Sequence, residues 1–154
     1  MDTGIQSTQR GSGHAALIDQ LVDTYRELNT HVRRLPEERL TAGGEEGSVR
    51  SVIARMRIDE MRFAQALKER ITGVIHADLA DKDPVIGTEH RNDTTVMLIS
   101  QFGTARETTL NLLKNLTDED WTKQTDDGKS IQDHVQDLVA SDRNQLERIK
   151  QLLT

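Results

Sequence analysis

The chain of 154 residues contains no cysteine. This absence excludes disulfide bonds, thiolate metal ligands and a cysteine nucleophile together. Aromatic residues are also scarce, with two Phe, one Tyr and one Trp. A hydrophobic core built from this sequence must therefore consist mainly of Leu, Ile, Val, Met and Ala.

Positive charge is in short supply. The 20 Lys and Arg are outnumbered by 26 Asp and Glu, which gives a net charge of −6, and no run of Lys and Arg reaches four. Nucleic-acid binding needs a basic surface that faces the phosphates. We therefore expect no nucleic-acid partner.

Long hydrophobic runs are missing as well. No stretch approaches the roughly 20 apolar residues that a membrane-spanning helix needs. Residues 1–13 are mostly polar or glycine, without the apolar centre of a secretory signal. We expect a cytoplasmic protein with no membrane partner, a flexible N-terminal tail over residues 1–13 and a single domain over residues 14–154.

Apolar residues recur at spacings of three and four along four separate segments, which is typical of amphipathic helices. This periodicity predicts helices near residues 15–35, 49–72, 94–116 and 131–153, and hence an all-α fold. The stripes are Leu17, Leu21, Tyr25, Leu28, Val32 and Leu35; Val49, Ile53, Met56, Glu60, Phe63, Leu67 and Ile71; Leu98, Phe102, Ala105, Thr109, Leu112 and Leu116; and Ile131, Val135, Leu138, Asp142, Leu146, Ile149 and Leu153.

The connections between these helices differ in length. Residues 36–48 and 117–129 are predicted to be loops of moderate length. The link over residues 73–91 is longer, and its larger apolar residues are Val74, Ile75, Leu79, Val85 and Ile86. A helix of about 24 residues is about 36 Å long, and an extended link of about 19 residues reaches about 60 Å. The link is thus long enough to return along a bundle on which it packs, which predicts that the second and third helices are parallel.

Three segments resemble the DinB/YfiT-like family of four-helix bundles. Residues 47–56 are similar to that family's W-S-V-R-E-V-L-A-H-L pattern, residues 116–121 to the loop before its last helix, and residues 137–146 to its H-L-A-R-H-D-R-R-H-L pattern. The resemblance extends from about Ala15 to Leu153. It implies a four-helix bundle with an up-down-down-up path and a homodimer, for which Val22, Met61 and Leu110 are candidate interface residues.

Family members hold a divalent metal with one histidine on the second helix and two on the fourth, and some use it to activate a thiol or water. Carried over to this chain, those three positions fall on Arg55, Ser141 and Gln145. A guanidinium stays protonated and cannot ligate a cation. We therefore expect no metal and no cofactor.

Two carboxylates interrupt the apolar stripes. Glu60 lies between Met56 and Phe63, and Asp142 between Leu138 and Leu146. A buried carboxylate must be paired, hydrogen-bonded or protonated. Our hypothesis is that Arg55 and Arg106 compensate Glu60 and Asp142 inside the bundle.

Other interpretations stay open. These charges can lie at the edge of their stripes and extend into water. Alternatively, Arg55, with Ser141 and Gln145, can form an inward pocket for a small anionic ligand. Two functions remain: a metal-free binding or interaction protein with a degenerate metal site, or a transferase or hydrolase that depends on a metal or thiol and uses an altered site.

Overall fold

The structure is a computed structural model that describes residues 3–73, 92–124 and 127–154, with side chains from residue 13 onward. These residues form helices and no strand, so the predicted all-α class is confirmed. The helices are α1 (Thr3–Glu27), α2 (Glu37–Thr41), α3 (Gly44–Gly47), α4 (Val49–Thr72), α5 (Thr95–Lys114), α6 (Asp118–Thr122) and α7 (Ile131–Leu153).

The long helices begin where side chains satisfy their first amide groups. Ser48 and Ser51 form a reciprocal capping box at the start of α4, and Ser130 with Asp133 does the same for α7. Each pair satisfies amide donors that have no partner within the helix. Gly73 then ends α4 with a φ of 69°, a conformation that glycine adopts without strain.

The first helix differs most from its predicted bounds. It begins at Thr3, well before the expected start near residue 15, and a π-helical turn, Leu28–Val32, continues it after Glu27. The apolar period is absent before Leu17, so periodicity alone could not locate this start. Residues 1 and 2 lie outside the described residues, and the flexibility of the tail over residues 1–13 stays a prediction.

The two connections that were expected to be loops contain the short helices α2, α3 and α6. Thr117 and Asp120 form a capping box at the start of α6. This helix brings Trp121 to the interior, where only 2% of the side chain is exposed. A single turn of helix is too short to show an apolar period, and its cap is the stronger signal.

The four long helices contact one another pairwise: α4 lies against α5 and α7, and α1 lies against α5 and α7. Their buried residues form two hydrophobic clusters. The first contains Leu28, Val32, Leu40, Val49, Val52, Ile53, Ala54, Met56, Leu98, Ile99, Phe102 and Ile149. The second contains Leu21, Phe63, Leu67, Leu113, Trp121, Ile131, Val135 and Val139.

Within the described part of the chain, none of the helices combines the length and the apolar character needed to cross a lipid bilayer. The predicted packing of the link between α4 and α5 concerns residues 74–91, which lie outside the described residues.

Candidate functional site

A buried arginine on α5 lies at the centre of the long helices. The Arg106 side chain is 1% exposed, and its guanidinium lies 4.9 Å from the centroid of the Phe102 ring, one turn earlier on the same helix. This distance is within the range of a cation–π contact. The ring and the neighbouring helices thus exclude water from the guanidinium.

Arg106 forms a bidentate ion pair with Asp142 on α7. Its Nη1 donates to Asp142 Oδ2 at 2.9 Å, and its Nη2 donates to Asp142 Oδ1 at 3.0 Å. The hydroxyl of Thr24 on α1 also donates to Asp142 Oδ2, at 2.6 Å. Both oxygens of this carboxylate therefore have donors, although Asp142 is only 6% exposed.

The same guanidinium also joins α4 and α1. Arg106 Nη2 donates to Glu60 Oε1 at 2.8 Å, and Nη1 donates to the carbonyl oxygen of Leu21 at 2.8 Å. Glu60 is 1% exposed. One side chain on α5 thus carries polar contacts to each of the other three long helices. We call Arg106, Glu60, Asp142 and Thr24 the central polar cluster.

Electrostatics keep the guanidinium charged. Burial alone would lower the pKa of Arg106, but the negative charges of Glu60 and Asp142 and their hydrogen bonds more than offset this effect, so its pKa is raised. A charged guanidinium is a permanent donor and cannot act as a base. Since both carboxyl groups already accept from it, the arrangement is chemically suited to holding helices together.

Arg106 therefore occupies the place predicted for it, but the expectation for Arg55 is wrong. The Arg55 side chain is 59% exposed, and its Nε lies 3.2 Å from Asp59 Oδ1 on the surface of α4. Successive residues on a helix point about 100° apart, so Arg55 turns outward although Met56 is buried. Arg55 does not compensate Glu60 or Asp142.

The other two positions at which the resemblance places metal ligands are also not interior. Ser141 is exposed and Gln145 is half-buried. An inward anion pocket around Arg55 is therefore wrong for this structure, because its guanidinium lies on the surface. A guanidinium paired with Asp59, an exposed hydroxyl and an amide do not provide the imidazole or carboxylate donors of a metal site. The donor set at these positions does not fit the divalent metal that the resemblance implies.

Sequence reasoning missed Thr24, which is 3% exposed. It follows Leu21 by three residues and precedes Leu28 by four, so it shares their helical face. That spacing was the available signal. A polar residue on an apolar face indicates a buried hydrogen bond, here to Asp142.

A second polar cluster joins the end of α4 to the start of α7. His134 Nε2 lies 3.0 Å from Asp127 Oδ2, and Arg70 Nη2 donates to Asp127 Oδ1 at 3.1 Å. The His134 ring is buried. No helical spacing connects these three residues, so this contact could not be predicted from the sequence.

Among the residues that the structure describes, no group of three or more His, Cys, Asp and Glu side chains is arranged so that it could hold a metal ion. Comparisons of the chain with protein-family models, with curated proteins and with solved structures gave no match.

Proposed function

We propose that the chain is a four-helix bundle of the DinB/YfiT-like type with an up-down-down-up path, and that residues 14–154 form its single domain. The bundle would consist of α1, α4, α5 and α7. The central polar cluster supports this arrangement, because one guanidinium on α5 contacts α1, α4 and α7.

Pairs of contacts along the helices support the proposed directions. Arg50 at the start of α4 donates to the carbonyl oxygen of Asp93 just before α5 at 2.7 Å, and Glu60 meets Arg106 further along both helices. His14 and Thr24 on α1 likewise meet Gln132 and Asp142 on α7 in the same order. Both relations favour parallel pairs.

The order is reversed between α1 and α5. Arg33 donates to the hydroxyl of Ser100 at 2.9 Å, whereas Leu21, earlier on α1, meets Arg106, later on α5. This relation favours an antiparallel pair. Two parallel pairs that oppose each other correspond to the up-down-down-up path.

The function that the geometry supports best is that of a metal-free binding or interaction protein. The observation that carries this proposal is the central polar cluster: the two carboxylates that interrupt the apolar stripes are both bound by Arg106. They are thus engaged by a fixed positive charge. The residues that correspond to the family's ligands, Arg55, Ser141 and Gln145, supply no replacement donors for a metal.

We further propose a cytoplasmic homodimer that takes a small anionic ligand and binds neither nucleic acid nor membrane. Val22, Met61 and Leu110 are half-buried, so each leaves part of an apolar side chain for a partner subunit. Sedimentation equilibrium at rising concentration tests the dimer, and a monomer throughout would contradict it.

Restoring the ligands tests the metal-free assignment and the alignment together. We expect the triple variant Arg55→His, Ser141→His and Gln145→His to gain a melting temperature that rises with added Zn²⁺ or Ni²⁺, since a ligand that binds only the folded state stabilises it. The control variant carries His at Arg26, Gln136 and Arg148 instead, three exposed positions of which no two are three or four residues apart on one helix, and its melting temperature should not change with metal. Equal responses of the two variants would contradict the proposed site.

A further inference from the structure

A groove of about 560 Å³ lies between α4 and α5. Its α4 side contains Arg57, Met61, Ala64, Gln65 and Lys68, which share one helical face at spacings of three and four. Its α5 side contains Gln101, Thr104, Ala105 and Thr108. The volume falls within the range of small-molecule sites in proteins.

The charge of this groove differs from that of the whole chain. Among the described residues that line it, two are cations, Arg57 and Lys68, and none is Asp or Glu. The chain has a net charge of −6. By contrast, the smaller pocket between α1 and α7, of about 250 Å³, has Asp23, Glu27 and Asp142 among its lining residues. The described lining of the α4–α5 groove therefore contains basic but no acidic side chains, although the protein as a whole is acidic.

The two cations lie at opposite ends of the groove. Arg57 and Lys68 are about three helical turns apart, or about 16 Å. Between them, Met61, Ala64 and Ala105 provide an apolar floor. Arg57 is 5% exposed and has interactions of its own, whereas Lys68 is exposed. Lys68 is thus the cation that a ligand can contact directly.

We propose that this groove binds an aliphatic monocarboxylate, with its carboxylate at Lys68 and its chain along Met61, Ala64 and Ala105. The proposal rests on the binding function proposed above and names the ligand class. It moves the anion site from Arg55, whose side chain is on the surface of α4, to the opposite flank of Met56. Apolar contact supplies affinity, and the ammonium selects for charge.

Octanoate is the probe, and octan-1-ol is its neutral match. In a backbone amide NMR titration of the full chain at low salt, octanoate should cause saturable shifts on the facing sides of α4 and α5, with a Kd of about 1 mM or below. Octan-1-ol should bind more weakly. Raising the salt concentration should weaken the binding of octanoate but not that of octan-1-ol, because salt screens the contact between the carboxylate and the ammonium.

Two variants separate the charge from the apolar floor. Lys68→Gln should weaken the binding of octanoate about fivefold and leave the binding of octan-1-ol unchanged. The control is Lys114→Gln, which replaces an exposed lysine at the end of α5 and should change the binding of neither probe. Ala105→Leu should abolish the binding of both octanoate and octan-1-ol, because the larger side chain occupies the apolar part of the groove. The far-UV circular dichroism spectrum of each variant is first checked to be the same as that of the unaltered protein.

Three results would overturn the proposal: no saturable shifts, shifts confined to other helices, or equal effects of Lys68→Gln and Lys114→Gln on octanoate. None of them bears on the metal-free assignment, because the histidine variant alters other positions and is read from its melting temperature.

Discussion

The guanidinium of Arg106 donates to both oxygens of the Asp142 carboxylate, at 2.9 and 3.0 Å, in a site where neither residue is more than 6% exposed. Such bidentate pairs fix the relative orientation of the two side chains in addition to pairing their charges. Since Glu60 binds the same guanidinium, α5 is held to α4 and α7 through one side chain.

Removing Arg106 should therefore strongly destabilise the fold. We expect Arg106→Met to lower the free energy of unfolding by about 3–5 kcal/mol, because Glu60 and Asp142 stay buried without their cation. Adding Glu60→Met and Asp142→Leu should restore a large part of that loss. Urea denaturation measures each variant, and Arg143→Met, at an exposed position beside Asp142, is the control with a change within about 0.5 kcal/mol. Simple additivity of the three substitutions would refute the coupling.

Glu37 stabilises the start of α5 from outside that helix. Its carboxylate accepts from the buried Thr95 amide at 3.1 Å and from the Thr95 hydroxyl at 3.1 Å, where a helix N-terminus favours negative charge. Glu37→Ala should lower the free energy of unfolding by about 1 kcal/mol. Glu38→Ala removes the neighbouring exposed carboxylate and should have little effect in the same denaturation series; an equal loss would argue against the cap.

Gly103 allows the Tyr25 ring to approach α5 closely, because a Cβ built at this position would collide with the ring. Gly103→Ala should therefore destabilise the protein by about 1–3 kcal/mol, although alanine is the better helix former. In a Tyr25→Ala background the collision is gone, and the same change should stabilise by about 0.5–1 kcal/mol. The sign reversal is read from thermal melts, and its absence would contradict the contact.

The capping box of α7 should make a contribution that depends on pH. Hydrogen bonds from the Ser130 backbone amide and hydroxyl lower the pKa of Asp133 below its ordinary value. A carboxyl group with a lowered pKa in the folded state stabilises above its unfolded pKa of about 4, and this stability is lost as the pH falls through the folded pKa.

Asp133→Asn should accordingly lower the melting temperature at pH 7, and the difference from the unaltered protein should shrink toward pH 3. Glu147→Gln removes an exposed carboxylate from the same helix and is the matched control, with little change at either pH. A difference for Asp133→Asn that does not vary with pH would rule out this explanation.

Much of the fold could be predicted because the apolar period is long and regular. The bounds of α4 and α7 follow from their stripes and from Ser48, Gly73 and Ser130. The early start of α1 could not be predicted, since residues before Leu17 carry no such period. Part of the candidate site could also be predicted. Glu60 and Asp142 lie within the apolar stripes, so their burial could be predicted from the sequence.

The arginines at the flanks were harder to place. Arg55 and Arg57 both adjoin the buried Met56, yet Arg55 faces solvent and Arg57 is buried. Periodicity gives the face that packs inward but does not say which flank a neighbouring helix covers. Here α5 borders the Arg57 flank, as the shared groove shows.

The metal content of the purified, unaltered protein tests the central claim most directly. Elemental analysis after preparation without chelators should find no stoichiometric Zn, Ni or Fe, and added chelator should leave the melting temperature unchanged. The reason is that Arg55, Ser141 and Gln145 offer no ligand set and that Arg106 engages Glu60 and Asp142. One tightly held transition metal per chain would contradict this account and favour a metal-dependent transferase or hydrolase.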